Sequence, residues 1–533
     1  MSEIGTVEIV FLLLLLFIVG FGLLARKLKT PYPIVMVIGG LILGLIPRVP
    51  ALTLNPELVF LVVLPPLLYA SAWTTSWRDF RYNIISICFL AFGLVAFTVL
   101  GVALAAPHFL SGFDWRLGLV LGAIVAPTDA IAAISIARRV GLPSRIVDIL
   151  EGESLINDAT GLLALQFATA IITEGRAPSL STGILDFAWL IAGGVGLGLL
   201  VGWFVDYVER RVDDGPIEIT MSILVPYAVY LAADAVHSSG VLAVVACGLF
   251  LSRRSAHFFS PSVRIQIWSF WQSFTFVLNG LVFVLIGLQL PVIRASIRDY
   301  SASTLLIYGT VFSLLLIVLR LVWTYPASVV TWLLRTRISH QREKRPDARR
   351  TFVIGWTGMR GVVSLAAALA LPAALANGSP FPHRDLIVFL TFCVIFVTLV
   401  LQGATLPPLI HALGLAGLSG PNCEEQEARR IVIEAAVSHL ENAKERDREE
   451  FGGLYNDLTQ HYRQRLASVQ AADGSEMEVA EHNRYVELSR EASRVERETA
   501  LRLRNEGRIN DEVLRRIERE LDLIESRFAV EDE

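Results

Sequence analysis

The stretch EGESLINDATGLLALQFATAII, residues 151–172, decides how the rest of the chain is read. From Leu155 onward it has the length and apolarity of a membrane-crossing helix, yet its first half carries Glu151, Glu153, Asn157 and Asp158. If the helix enters the membrane at Arg145, Asp158 lies about 20 Å further along the axis at 1.5 Å per residue, deep in a bilayer. An ionisable group at that depth costs at least ~2.5 kcal/mol and must face protein or water. Such an acid reads first as a functional site, with a structural ion pair as the competing reading. For Glu153 the two readings stand level. Asp148 and Glu151, nearer the helix entrance, read as interfacial charges, with a cation-gathering mouth as the secondary reading. Ser154 stands one turn below Asp158 and Glu153 one turn below Asn157, so these pairs occupy adjoining parts of one helix surface.

The rest of the chain supplies the membrane. Hydrophobic residues make up 54% of it and charged residues 18%, the mean hydropathy is +0.56, and the charge gathers in the last fifth or so of the sequence. A bilayer core takes roughly 20 mostly apolar residues per helix, and about thirteen segments qualify. They lie near 7–25, 33–47, 56–73, 83–106, 115–137, 145–172, 183–208, 217–235, 240–252, 266–290, 303–334, 351–372 and 385–412. The ninth is short, which leaves the count open by one. The first span lacks a basic leader and a small-residue cleavage site, so it is expected to stay as a helix rather than be removed. The class is therefore an all-α polytopic membrane protein.

Basic residues set the orientation. One side collects Arg26, Lys27, Lys29, Arg78, Arg81, Arg138, Arg139, Arg145, Arg210, Arg211, Arg253, Arg254, Arg264 and the cluster within 335–350. The other has Arg48, Arg116, Arg176, Arg294, Arg298 and Arg384. That is about 20 against about 6, so the amino terminus is expected outside and the carboxyl-terminal tail in the cytoplasm, in a plasma (inner) membrane. The tail, 416–533, is charged and helical in pattern; Val513, Ile517, Leu521 and Ile524 repeat at helical spacing behind Asp511, a residue able to cap that helix. The stripe reads as a packing face, with regulation or self-association as the alternative.

Two further segments carry polar groups at membrane depth. LGAIVAPTDAIAAISIARR, residues 121–139, places Pro127 in mid-span, where its missing N–H and its ring release carbonyls of the preceding turn. Thr128 and Asp129 sit at that break; unwound backbone at this depth is tolerated only where it is buried or lines a cavity, so a coordination site is expected, a capped kink being the alternative. In TFVIGWTGMRGVVSLAAALALP, residues 351–372, Gly355, Gly358 and Gly361 surround Arg360, a buried cation in need of an anion, and Glu153 is the partner expected. The two breaks fall in the fifth and twelfth spans. An odd offset of seven makes them cross in opposite directions, the mark of an inverted repeat with its binding site between the halves.

The segments APTDAIAA, GESLINDATGLLALQFA, GWTGMRGVVSLAAAL and the late TLVLQGATLPPLI (398–410) together resemble the signature segments of the bacterial sodium/proton exchanger family of monovalent cation:proton antiporters, electroneutral Asn-Asp type. The resemblance covers essentially the whole membrane part, 1–415, and much less of the tail. It implies thirteen helices, a core domain near 83–172 and 303–412 containing the two crossing broken helices, a dimer domain near 7–73 and 183–290, a homodimer, and elevator-like alternating access. Carried over by position, it makes Asp158 the ion- and proton-binding carboxylate, with Ser154, Thr128 and Asp129 near the sodium, Glu153 and Arg360 as a supporting pair, and Asn157 orienting the site.

The chemistry agrees. Sodium and lithium are hard cations that want oxygen ligands, and desolvation favours the neutral form of a carboxyl group, so a proton competes for the same oxygens. An Asn-Asp pair, by the resemblance, implies one proton per cation with no net charge moved. A potassium/proton exchanger on the same scaffold, or as the more remote reading a cation channel, would use the same residue types. No cofactor is expected: neither a G-x-S-x-G nor an H-E-x-x-H pattern occurs, so the chain reads as a transporter and not an enzyme. The glycines at 193, 194, 196 and 198 mimic a nucleotide loop but lie in an apolar span, where they read as close-packing residues. The net charge of −4 gives no nucleic-acid footprint, and the four scattered cysteines read as small apolar residues. Arg320, Asn279 and Asp234 read as helix-packing or snorkelling groups, with a path-lining role as the alternative.

Overall fold

The computed structural model describes every residue except 1–2, 47–53, 174–179, 298–299, 339–344, 376–377, 418–422, 447–451, 471–475, 507, 509 and 530–533. Arg48, Arg176 and Arg298, counted above in the charge bias, lie outside the described residues. The chain divides into two units, Met1–Leu418 and Ser419–Glu533. Among the described residues there is no strand, only an isolated bridge between Ala374 and Pro380.

The first unit is a helical bundle: α1 (Glu3–Leu28), α2 (Tyr32–Gly44), α3 (Pro56–Thr74), α4 (Trp77–Phe109), α5 (Trp115–Val125), α6 (Ile131–Val140), α7 (Ser144–Thr173), α8 (Leu180–Glu209), α9 (Gly215–Ala235), α10 (Gly240–Phe258), α11 (Pro261–Ser296), α12 (Ala302–Ile338), α13 (Ala348–Trp356), α14 (Val362–Leu369) and α15 (Arg384–Ala412). Nine helices among the described residues are long and apolar enough to cross a membrane, and α2 and α5 are shorter apolar helices. Each of the thirteen segments read from the sequence coincides with one helix or, at the fifth and twelfth, with a pair of short ones.

Local chemistry sets the helix ends. Asp114 accepts from the Leu117 N–H (2.9 Å) at the start of α5, and Asp347 from the Arg349 N–H (2.9 Å) at the start of α13, each satisfying a donor left free by the first helical turn. Gly141, at φ +70, closes α6 in the left-handed conformation that glycine adopts without strain. Helices α3, α4 and α15 each contain a wide π-type turn, at Val59–Val63, Phe89–Leu94 and Thr398–Gln402, which the sequence reading did not foresee.

Packing follows membrane rules, where close backbone approach replaces the hydrophobic drive of water. A Cβ on Gly40 would lie 2.3 Å from the Val284 carbonyl oxygen and one on Gly287 2.3 Å from that of Val37, so α2 and α11 touch backbone to backbone. Outside the bundle, α1 presents Leu12, Leu16 and Leu23, and α8 presents Leu185, Leu200 and Trp203, all exposed and apolar. One large apolar cluster runs through the interior from Leu14 to Leu415.

The second unit holds α16 (Cys423–Arg446), α17 (Gly452–Gln470), α18 (Glu476–Asn505) and α19 (Asp511–Ala529). Of the expected stripe on α19, Leu521 is buried and Ile517 half-buried, Val513 is exposed while its neighbour Leu514 is buried, and the Ile524 side chain lies outside the described residues. Asn510, not Asp511, caps the helix, its Oδ1 accepting from the Val513 N–H at 2.8 Å. Asp511 is the first helical residue, one place too late to serve. Arg497 on α18 ties to Asp522 on α19 at 2.7 Å.

Candidate ion-binding site

The chain is unwound at 126–130, between α5 and α6, and again at 357–361, between α13 and α14. At the first break Pro127 can donate no hydrogen bond back to α5. The two unwound stretches lie against each other: the Asp129 N–H donates to the Met359 carbonyl at 2.8 Å. A Cβ on Gly361 would come within 2.3 Å of Asp129 Oδ2 and one on Gly161 within 2.2 Å of Pro127 Cγ, so both glycines are required by the closeness of the crossing.

Asp129 stands just before Ala130, the cap position of α6, and its Oδ1 accepts from the Ile131 N–H at 2.8 Å, which sets a carboxylate at the positive end of that helix. Ser154 Oγ on α7 accepts from the Ala130 N–H at 3.4 Å. Asp158 is 8% exposed, and no hydrogen bond or ion pair joins its carboxylate to another described residue. Asp158, Asp129, Ser154 and Ser364 line one cavity of about 70 Å³. Its other wall comes from α3, with Leu64, Leu68 and Ser71, and from α11, with Asn279 and Phe283. The hydroxyl oxygen of Ser364 is buried without a partner among the described residues. Two carboxylates and two hydroxyls around a cavity of this size form an all-oxygen set suited to a small hard cation.

A second network backs the first. Arg320 on α12 donates to Glu153 through both terminal nitrogens, Nη1 to Oε1 and Nη2 to Oε2 (2.9 Å), with both side chains 1% exposed. Thr128 Oγ1 donates to Glu153 Oε1 at 2.9 Å, and Asn157 Nδ2 donates to Thr128 Oγ1 at 2.7 Å. Asn157 is thereby fixed in orientation, while its Oδ1 is buried and unpartnered among the described residues.

The expected Glu153–Arg360 pair is corrected here, because Glu153 is held by Arg320. Arg360 spends its donors on backbone oxygens, Nε on Val125 (3.0 Å) and Nη1 on Gly358, and its own N–H goes to Thr398 Oγ1 at 3.1 Å. The anion it needs is supplied by the carbonyl end of α5, where helix dipole and freed carbonyls carry negative charge. Thr128, expected beside the ion, turns its hydroxyl to Glu153 and Asn157. Arg320, read from sequence as a packing residue, and Ser364, Asn279 and Ser71, which line the cavity, extend the set. For Arg320 the signal was present, since a lone arginine inside an apolar run requires an internal anion. Glu151, taken as interfacial, pairs with Arg138 at 2.7 Å.

Two unwound stretches that meet beside a buried acid, within an all-helical bundle of long apolar helices, suit a secondary transporter. The chain belongs to the sodium/hydrogen exchanger family, whose transmembrane model matches residues 12–412. It is 33% identical to an uncharacterized Na+/H+ exchanger of Mycobacterium tuberculosis over 94% of this chain and 92% of the relative. It is 34% identical to a sodium, potassium, lithium and rubidium/H+ antiporter of Bacillus pumilus, over 83% of this chain and 66% of that one. Its fold is similar to that of the sodium proton antiporter MjNhaP1 of Methanocaldococcus jannaschii, with a TM-score of 0.58, at 20% identity over 76% of this chain and 99% of that one.

Proposed function

We propose that this Na+/H+ antiporter exchanges one sodium or lithium ion for one proton at Asp158, without net charge movement, by elevator-type alternating access. The observation that carries this reading is the cavity at Asp158, whose carboxylate faces Asp129, Ser154 and Ser364 with no bonded counter-ion among the described residues. An acid already tied to an arginine would have no charge to trade. Glu153, tied to Arg320, is in that position; Asp158 is not.

Asp158 then alternates between proton and cation. Ser154, Ser364 and Asp129 supply further oxygens, and Asn157 holds the adjoining backbone through Thr128. Neutralising Asp158 by either ligand removes the penalty of carrying a bare charge past apolar groups. Helices α4 to α7 and α12 to α15 would move as the core against α1 to α3 and α8 to α11, since residues of both sets line the cavity. The exposed apolar faces of α1 and α8 suit lipid and a second copy in a homodimer. The basic bias supports an amino terminus outside a plasma membrane and a tail in the cytoplasm.

Sodium-driven proton movement in liposomes reconstituted with the purified chain tests the assignment. Asp158→Asn should abolish it while leaving the elution profile and thermal unfolding of the protein intact; substantial coupled flux in that variant removes Asp158 from the role. A second reading, potassium/proton exchange at the same residues, is favoured by the potassium among the ions for which the Bacillus relative is named. Replacing sodium by lithium or potassium in the same liposomes separates the two.

A further inference from the structure

A cavity of about 520 Å³, separate from the one at Asp158, lies between the starts of α4, α7 and α13 and the end of α12. These four ends lie on the arginine-rich face of the bundle. Its exposed charged residues are Arg145, Arg345 and Arg350 with one acid, Asp347, which lies 4.0 Å from Arg350; Ser86 and the buried Thr331 and Thr351 add hydroxyls; and the buried Leu90 and Ile149 with half-buried Ile354 form an apolar floor. A second cavity of about 570 Å³ adjoins it across Tyr82 and brings Arg78, Arg81 and Arg335 against Asp79.

The aromatic residues hold the cations in place. The Arg145 guanidinium stands 5.5 Å from the Tyr82 ring centroid and that of Arg335 4.8 Å, while Arg345 stands 5.9 Å from Trp332. Arg335 also donates to the Tyr82 carbonyl and, at 3.3 Å, to Asn83 Oδ1. Arg335 is itself buried, and the five exposed arginines, Arg78, Arg81, Arg145, Arg345 and Arg350, against Asp79 and Asp347 give the two cavities a net positive lining. The apolar floor beneath it has no use for a small, fully hydrated anion.

We propose that this cavity holds an anionic phospholipid of the adjacent leaflet, its phosphate among Arg145, Arg345 and Arg350 and the start of an acyl chain against Leu90, Ile149 and Ile354. Basic pockets between membrane helices recognise lipid phosphates in this way, each cation near the surface adding to the attraction. A bidentate guanidinium suits a phosphodiester better than an ammonium does. The floor is not remote from the ion site. The Ile354 carbonyl accepts from Arg320 Nη2 at 3.2 Å, and Thr324, also on the lining, donates to the Arg320 carbonyl at 2.6 Å. A lipid seated here braces the helices that hold Arg320 against Glu153.

The test uses the purified full chain in phosphatidylcholine nanodiscs with and without phosphatidylglycerol, read by thermal unfolding, and native mass spectrometry of retained lipid. Phosphatidylglycerol should raise the unfolding midpoint and remain bound. Combined Arg145→Gln, Arg345→Gln and Arg350→Gln should weaken its retention about tenfold or more, while Arg26→Gln, Lys27→Gln and Lys29→Gln on the same face leave it unchanged. Ser328→Trp, which keeps every charge and fills the cavity, should also displace the lipid. The proposal is overturned if the triple cavity variant or Ser328→Trp keeps the preference, since diffuse surface charge then accounts for it. It is equally overturned if inorganic phosphate in phosphatidylcholine discs reproduces the full shift, which makes the site one for a free anion.

Discussion

Glu153 and Arg320 are each 1% exposed and hold one another in two-pronged fashion, so removing one partner leaves the other as a bare buried charge. Arg320→Gln should therefore destabilise the protein by about 3–5 kcal/mol, seen as a large drop in unfolding midpoint in detergent. Glu153→Gln together with Arg320→Gln should recover part of that loss. Arg360→Gln removes hydrogen bonds to two carbonyls without stranding an acid and should cost less. An Arg360 variant as damaged as the Arg320 one, with the double variant showing no recovery, would return Glu153 to Arg360. The burial of Asp158 was legible from its place thirteen residues past Arg145 in an apolar run, about 20 Å at helical rise. The partner of Glu153 was not, because two arginines sit in apolar spans and the true one lies 167 positions away. Nothing local shows that α5 would offer Arg360 its carbonyl end in place of a carboxylate.

At the level of elements, the crossing of the two unwound stretches depends on a glycine that faces an acid. Gly361→Ala puts a Cβ within 2.3 Å of Asp129 Oδ2, and the carboxylate must move off the cavity wall. Misplacement of a site group by about an ångström costs on the order of a hundredfold in rate, so sodium-driven proton flux should fall by that order while the variant still folds; wild-type flux would show that Asp129 has slack. At the α2–α11 contact the added atom meets backbone instead of a movable side chain. Gly287→Val should reduce stability and expression with no selective effect on ion competition. Both breaks were readable in advance, one from Pro127 and the other from three glycines around an arginine. The π-type turns were not, since a wide turn arises from how neighbouring helices press on an otherwise ordinary apolar run. The cap of α19 was misread by one residue because Asn510 and Asp511 are both good caps and spacing alone does not choose between them.

For the whole molecule, the succession of apolar helices was visible because the bilayer imposes a length and a polarity on each helix; the side from which each enters is an expectation that the basic bias alone supports. The grouping of helices around the cavity was not visible in periodicity; it rests on α3 and α11 meeting α6, α7, α14 and the unwound stretch at Pro127 and Asp129 across the cavity. If one cation and one proton each neutralise the same acid, turnover moves no net charge. A charge crossing the membrane would gain about 2.3 kcal/mol per 100 mV, so the exchange rate in liposomes should be flat as the potential is clamped at different values. A steady-state rate that follows the potential would require a second titrating group in the cycle. Competition also makes the apparent sodium affinity fall as protons become more abundant, measurable as a rising half-saturation concentration at lower pH.

The claim beneath all of this is that Asp158 gives up its proton to take a cation. Adding sodium to the purified protein in weakly buffered detergent, with a pH electrode in the solution, reads that exchange without any transport step. The account predicts one proton released for each sodium bound by the wild-type chain and none from Asp158→Asn. Sodium binding by the wild type without proton release, or release that persists undiminished in Asp158→Asn, would contradict it.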